Sequence, residues 1–286
     1  MKPFVNALFL LGLLGSFFGC SQDPKSRTSV VIGLQPNEKS SDHQIFAKDL
    51  STRVGLDVKI YISKDYDDLV QKFKSGEIDF AFFSPLNFLS AERTADAKVL
   101  LKKVYGKSEF YYSAIVVKKD SSIKSLKDLA GKKVAYVDKK STSGYLYPRA
   151  MIRTSGVDVN SVISEFAGTH DGAVKALVEG KVDAAGVWAN LPETNEGAWT
   201  SGGPAIGAKI KVLAYSDPIP NDAFVVRNAY YESNQESVFK IMNALIDMSE
   251  KGENSLKKAF DTDKMATATS RHYDSVRAVE KEAEEK

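Results

Sequence analysis

Gly76-Glu77-Ile78-Asp79-Phe80-Ala81-Phe82-Phe83-Ser84-Pro85 reads as the end of one helix, a buried strand and the start of a second helix. Glycine after the last periodic residue is a common helix stop. Ile78 to Phe83 is rich in apolar and aromatic residues, as a strand buried in a sheet should be. Ser84-Pro85 then supplies a polar residue followed by a proline, which suits the first turn of a helix. Upstream, Tyr66-Asp67-Asp68 opens the helix that Gly76 closes, with acidic residues where the helix dipole favours them. Further back, Ser29 to Leu34 reads as a buried strand and Gln35 to Ser41 as a loop. Asp42 to Val54 has Ile45, Phe46, Leu50 and Val54 at helical spacing, Gly55 stops it, and Asp57 to Ile62 alternates as a strand. Strand, helix, strand, helix in this rhythm predicts an α/β fold with a largely parallel sheet.

The pattern recurs. His170 to Val187 repeats helix, Gly180, Lys181, Val182, Asp183, Ala184, Ala185, and the offset is 104 residues for both Gly76/Gly180 and Asp79/Asp183. Two related α/β units are therefore expected. The same offset pairs Tyr66 with His170, both at helix starts, and Phe83-Ser84 with Val187-Trp188 at strand ends. Ligands of open α/β sheets bind beyond the strand C-termini, so facing units would set Tyr66 and His170 on opposite walls of one cleft. Phe110 to Lys118 reads as a strand crossing between the units and Lys209 to Tyr215 as the return. Asn195 to Gly207 and Ser216 to Asp222 are loops by composition, Ala223 to Arg227 is a strand, and Glu232 to Lys257 is helical. Tyr273 to Lys286 reads as a solvated helix of alternating charge.

Lys139-Lys140-Ser141-Thr142-Ser143-Gly144-Tyr145 follows a buried strand, Lys133 to Val137, and opens a helix running towards Arg153. Three hydroxyl residues at a helix N-terminus make an oxyanion cradle, because the first turn's N–H groups lack intrahelical partners and the dipole favours negative charge. The same residues would also serve as a plain N-cap. Gly144 lets the backbone come close, and Pro148 disturbs a regular helix begun at Ser141.

Residues 1–19 read as a signal peptide: Lys2 is basic, Val5 to Leu14 is apolar, and small residues end the run. Cys20 is the only cysteine, which excludes an internal disulfide and a cysteine-built metal site. Its position matches the lipidated cysteine of bacterial lipoproteins, with residues 20–28 as a lipidated tether. A net charge of +2 and no basic-aromatic stripe give no reason to expect nucleic acid. No cofactor and no metal are expected, since three histidines and one cysteine form no ligand cluster.

Asp65-Tyr66, Ile78-Asp79-Phe80-Ala81 with Ser84-Pro85-Leu86, Phe110 to Val117, Ser141 to Gly144, His170, Gly180-Lys181-Val182-Asp183 and Ile219-Pro220-Asn221-Asp222, in this order, resemble the periplasmic phosphate/phosphite/phosphonate-binding proteins of ABC importers. The resemblance covers nearly all of the chain after the leader. It implies a type II periplasmic-binding-protein-like fold: two α/β lobes joined by two crossing strands, lobe 1 from residues 29–112 and 214–286, lobe 2 from 113–213. It implies that Ser141, Thr142, Ser143 and His170 hold the ligand oxygens, that Tyr66 reaches in from the other lobe, and that Asp222 accepts the proton of a partly ionised anion. Tyr111, Phe83, Ser84, Trp188 and Asn190 complete the implied pocket. Phe83 stands where some members have a tyrosine, and Asn190 where receptors for aminoethylphosphonate have a glutamate. An amide cannot pair an ammonium as a carboxylate does, which argues against an aminoalkyl phosphonate, and Trp188 would reduce the pocket, favouring phosphite, methylphosphonate or phosphate.

The expected function is a lipid-anchored, monomeric receptor on the periplasmic side of a bacterial membrane, or on the cell surface of a Gram-positive host. It would pass a small phosphorus oxyanion to a permease and its ATPase. A binding or sensor module of the same fold for a sulfonate or carboxylate is the alternative. A hydrolase built on Ser141 or Ser143 with His170 is disfavoured, because no Gly-x-Ser-x-Gly elbow follows a strand.

Overall fold

The computed structural model describes residues 28–36, 40–250 and 254–284. The expected leader, Cys20 and almost all of the tether lie outside the described residues. Among the described residues, twelve strands build two sheets: β1 Ser29–Leu34, β2 Asp57–Ile62, β3 Phe80–Phe83, β4 Ala97–Val104, β5 Phe110–Lys118, β6 Lys133–Tyr136, β7 Ile163–Phe166, β8 Ala184–Ala189, β9 Ile210–Tyr215, β10 Ile219–Pro220, β11 Ala223–Arg227 and β12 Lys264–Thr267. One sheet has the order β12-β4-β11-β3-β1-β2; the other runs β10-β5-β8-β6-β7, with β9 also on β5.

The α/β class stands, but the sheets are mixed rather than largely parallel. β1 pairs in parallel with β2 and β3, and β6 with β7 and β8, each through a helical crossover. β11 runs antiparallel between β3 and β4, and β5 runs antiparallel to β8. These strands enter each sheet from the other lobe instead of through a βαβ turn, so nothing forces them parallel. The crossings are the expected ones. β5 leads from the first sheet into the second, and β9, β10 and β11 lead back, with β9 and β10 both paired antiparallel along β5.

The repeat of 104 residues is structural. Gly76 and Gly180 both end helices in the left-handed region, at φ 82° and 73°. Asp79 and Asp183 play equivalent parts. The Asp79 carboxylate accepts from the Val31 N–H, and the Asp183 carboxylate accepts from the Lys133 N–H. Each thereby ties its strand to the first parallel strand of its own sheet. Asp79 is fully buried, and Arg227 Nη2 lies 3.3 Å from its Oδ1.

Four departures from the sequence reading concern elements. In place of the expected helix Glu232 to Lys257 stand three helices, Asn228–Ser233, Gln235–Glu250 and Asn254–Phe260, the first break falling at Asn234, whose N–H donates to the Tyr230 and Tyr231 carbonyls. The segment Asn195 to Gly207 carries two short helices, Ala198–Ser201 and Pro204–Gly207, anchored by buried Trp199. The C-terminal helix Asp274–Glu284 is not wholly solvated: Val276, and Tyr273 just before it, are fully buried against the helix Pro85–Ala95. Strands β4, β7 and β12 had no counterpart in the sequence reading, and β10 lies inside the stretch Ser216 to Asp222 that was expected to be a loop.

Candidate functional site: a cleft between the two sheets

Strand β6 ends at Tyr136, and the chain turns at Asp138, whose carbonyl accepts from the Ser141 N–H. Residues Thr142–Leu146 then form one wide turn before the regular helix Tyr147–Thr154. Its bonds run from Leu146 N–H to Ser141 C=O and from Tyr147 N–H to Thr142 C=O. The next bond would need an N–H on Pro148, which has none. The Ser143 carbonyl that Pro148 would leave unpaired accepts from the Ser113 hydroxyl at 2.7 Å instead. The wide turn is how the chain admits Pro148 without breaking the helix start. Gly144 does come close to a neighbour, but to Val137: an added Cβ would lie 2.3 Å from Val137 Cγ2.

Three polar side chains presented by the second lobe, Ser141, Thr142 and His170, already have an acceptor atom occupied. Ser141 Oγ accepts from the Gly144 N–H at 3.1 Å as N-cap. Thr142 Oγ1 accepts from the Leu86 N–H at 2.9 Å, across from the other lobe. His170 Nδ1 accepts from the Trp188 N–H at 3.2 Å. Groups so engaged have a proton left to give: the hydroxyl hydrogens of Ser141 and Thr142, and the Nε2–H of the tautomer that Trp188 selects. Burial holds the His170 pKa down at about 3, so the ring is a neutral donor near neutral pH.

The opposite wall comes from the first lobe. Asp65 caps the helix that Tyr66 opens, and Asn87 donates to the Tyr66 carbonyl. Ser84, at the end of β3, has a buried hydroxyl with no hydrogen-bond partner among the described residues. Asp222 follows β10, and its Oδ2 lies 3.4 Å from Lys103 Nζ. Tyr111 on β5 bonds to Ser143, and burial, then the nearby Asp222, raises its pKa well above the ordinary value.

These walls enclose a cavity of about 570 Å³, of the size that holds a small ligand. Tyr66, Ser84, Tyr111, Ser141, Thr142, Ser143, His170, Trp188, Asn190 and Asp222 all line it. Phe83 does not, and this corrects the sequence reading. Strand alternation sends its ring away from the cleft, fully buried and edge-on to Phe73 at 5.3 Å. Asn190 is held by Glu196, which accepts from its side-chain amide at 3.3 Å. The sequence reading missed Lys103, Thr169, Asn221 and the loop residues Gln35 and Pro36. Gln35 follows the C-terminal end of β1, where the strand-end rule would have found it. Lys103 carried no such signal.

A family profile described as "ABC transporter, phosphonate, periplasmic substrate-binding protein" matches residues 30–273. The phosphate-import protein PhnD of Mycolicibacterium smegmatis is 28% identical over 246 residues, 78% of this chain and 76% of the relative. The phosphonates-binding periplasmic protein of Escherichia coli is 28% identical over 203 residues, 68% of this chain and 58% of the relative. The crystal structure of PhnD1 from Prochlorococcus marinus in complex with methylphosphonate superposes with a TM-score of 0.76 at 18% identity, covering 90% of this chain and 98% of that one. A fold of two helix-flanked mixed sheets with a donor-lined cleft between them, matched over this length, makes the chain a member of the phosphonate-binding family of periplasmic substrate-binding proteins of ABC transporters.

Proposed function

We propose that this chain captures a small phosphorus oxyanion, a phosphonate, phosphite or phosphate, in the cleft and delivers it to an ABC permease and its ATPase. The observation that carries the reading is the donor wall. Ser141, Thr142 and His170 have acceptor atoms engaged by backbone N–H groups and protons still to give, which suits an acceptor-only ligand. The N–H groups of the first turn and the helix dipole add to the same preference. Tyr66 and Asp222 would close on the anion from lobe 1, residues 29–112 and 214–286, against lobe 2, residues 113–213. No bond in this arrangement needs to be made or broken, so the chain is a receptor without turnover. It would work as a monomer, held to the periplasmic face of a membrane through Cys20. A ligand without an ammonium group fits Asn190 better than an aminoalkyl phosphonate, since Glu196 already engages that amide.

Calorimetric titration of the purified protein with phosphate, phosphite, methylphosphonate and aminoethylphosphonate tests this. One of the first three should bind tightly. Ser141→Ala and His170→Ala should each weaken it by about tenfold to a hundredfold, the effect of losing a hydrogen bond to a charged group. Unchanged affinity in both variants, with unchanged melting, would sink the assignment.

A further inference from the structure

Lys103 belongs to the cleft wall, and a lysine that is only 4% exposed stands apart from the neutral donors of the opposite side. Its position is fixed from several sides. The Lys103 N–H donates to the Asp222 carbonyl at 3.0 Å, and the Asn221 side-chain amide donates to the Lys103 carbonyl at 3.0 Å. The ammonium lies 5.2 Å and 5.4 Å from the ring centres of Phe82 and Phe260, and 3.4 Å from Asp222 Oδ2. The adjacent Lys102 is spent elsewhere, on Glu109 at 2.5 Å.

We propose that Lys103 sets the charge state of the anion this cleft accepts, by neutralising Asp222 so that a doubly ionised phosphorus oxyanion can enter. The inference rests on the oxyanion reading above. An uncompensated Asp222 carboxylate would accept a hydrogen bond from the ligand's last proton and repel the dianion that lacks it, so only the monoanion would bind. Paired with Lys103, the carboxylate loses that power. Among the described cavity-lining residues no other group substitutes for it. Tyr111 and Tyr273 lie beside Asp222, and burial raises both well above their ordinary range, so they stay neutral. Tyr66 and Tyr105 line the same space. Asp171 and Asp261 add negative charge, and His170 is neutral. Among the described cavity-lining residues, Lys103 is therefore the only ammonium or guanidinium facing three carboxylates.

The test is the pH dependence of methylphosphonate, phosphite and inorganic phosphate affinity, measured by calorimetry from mildly acid to mildly alkaline pH, across the ligand's second ionisation. The wild-type protein should hold or gain affinity as the dianion forms. Lys103→Met should lose about tenfold in affinity for each pH unit above that ionisation, following the vanishing monoanion. Lys103→Arg should keep the wild-type profile. Asp222→Asn should gain affinity for the dianion more steeply than wild type, and it carries the test alone if Lys103→Met does not fold. A Lys103→Met profile parallel to wild type, a wild-type profile that itself falls tenfold per unit, or an Asp222→Asn profile no steeper than wild type would overturn the inference. Failure of the wild type to bind methylphosphonate, phosphate or phosphite at any pH would instead overturn the oxyanion reading, and the inference with it.

Discussion

Burial holds the His170 imidazole neutral, and the Trp188 N–H fixes which nitrogen carries its proton. This couples the site to stability. The unfolded ring takes up a proton near its ordinary 6.5, the folded ring only near about 3. Between those values the unfolded chain binds more protons, so the stability present above pH 6.5 is lost as the pH falls towards 3. His170→Gln should flatten that part of the stability profile, read by denaturant midpoints at stepped pH. An unchanged slope would place the acid sensitivity in other groups. Most residues of the site were legible because they stand at helix starts and strand ends, where an α/β sequence announces its ligand positions. Phe83 misled because a strand end has two faces, and one residue of register decides between cleft and core. Lys103 was hidden for a different reason. A lysine in a strand reads as solvent-facing until its partner is known, and here the partner lies 119 residues away.

At the scale of elements, the wide turn Thr142–Leu146 shows how local chemistry builds the donor wall. Pro148 forbids one bond, Ser113 compensates the stranded carbonyl, and Gly144 lets the turn press against the end of β6. Gly144→Ala should destabilise the protein by about 1–3 kcal/mol, the usual cost of overpacking, because Val137 would have to yield. Thermal or denaturant unfolding reads this directly; a loss under a few tenths of a kcal/mol would mean that the turn relaxes freely. The same logic explains which strands the sequence announced. β1, β3, β5, β6 and β8 are β-branched or apolar runs. β4 was silent because Lys102 and Lys103 interrupt its apolar pattern, and both are tolerated only through acids supplied by Glu109 and Asp222. β12 is four residues long and pairs only with β4, so it shared that silence.

At the scale of the whole molecule, two repeats of one α/β unit face each other and are stitched by β5 and the β9–β11 run. The helix–Gly–strand repeat was readable because Asp79 and Asp183 perform the same task on the same kind of neighbour. The antiparallel strands were not readable as such, since direction in a sheet follows from the crossings and not from local pattern. Leu86 and Thr142 join the lobes across the cleft. Tyr273 donates to the Asn221 carbonyl beside Asp222, and Ser275 bonds to Tyr147 beyond the wide turn. The C-terminal segment thus touches both walls.

A crystal structure of the protein grown with methylphosphonate tests the donor wall as the binding site. The phosphonate oxygens should lie within about 3.2 Å of Ser141 Oγ, Thr142 Oγ1 and His170 Nε2, inside the cleft. A phosphonate bound elsewhere, or a cleft that stays without one at saturating ligand, would contradict the donor wall as the binding site.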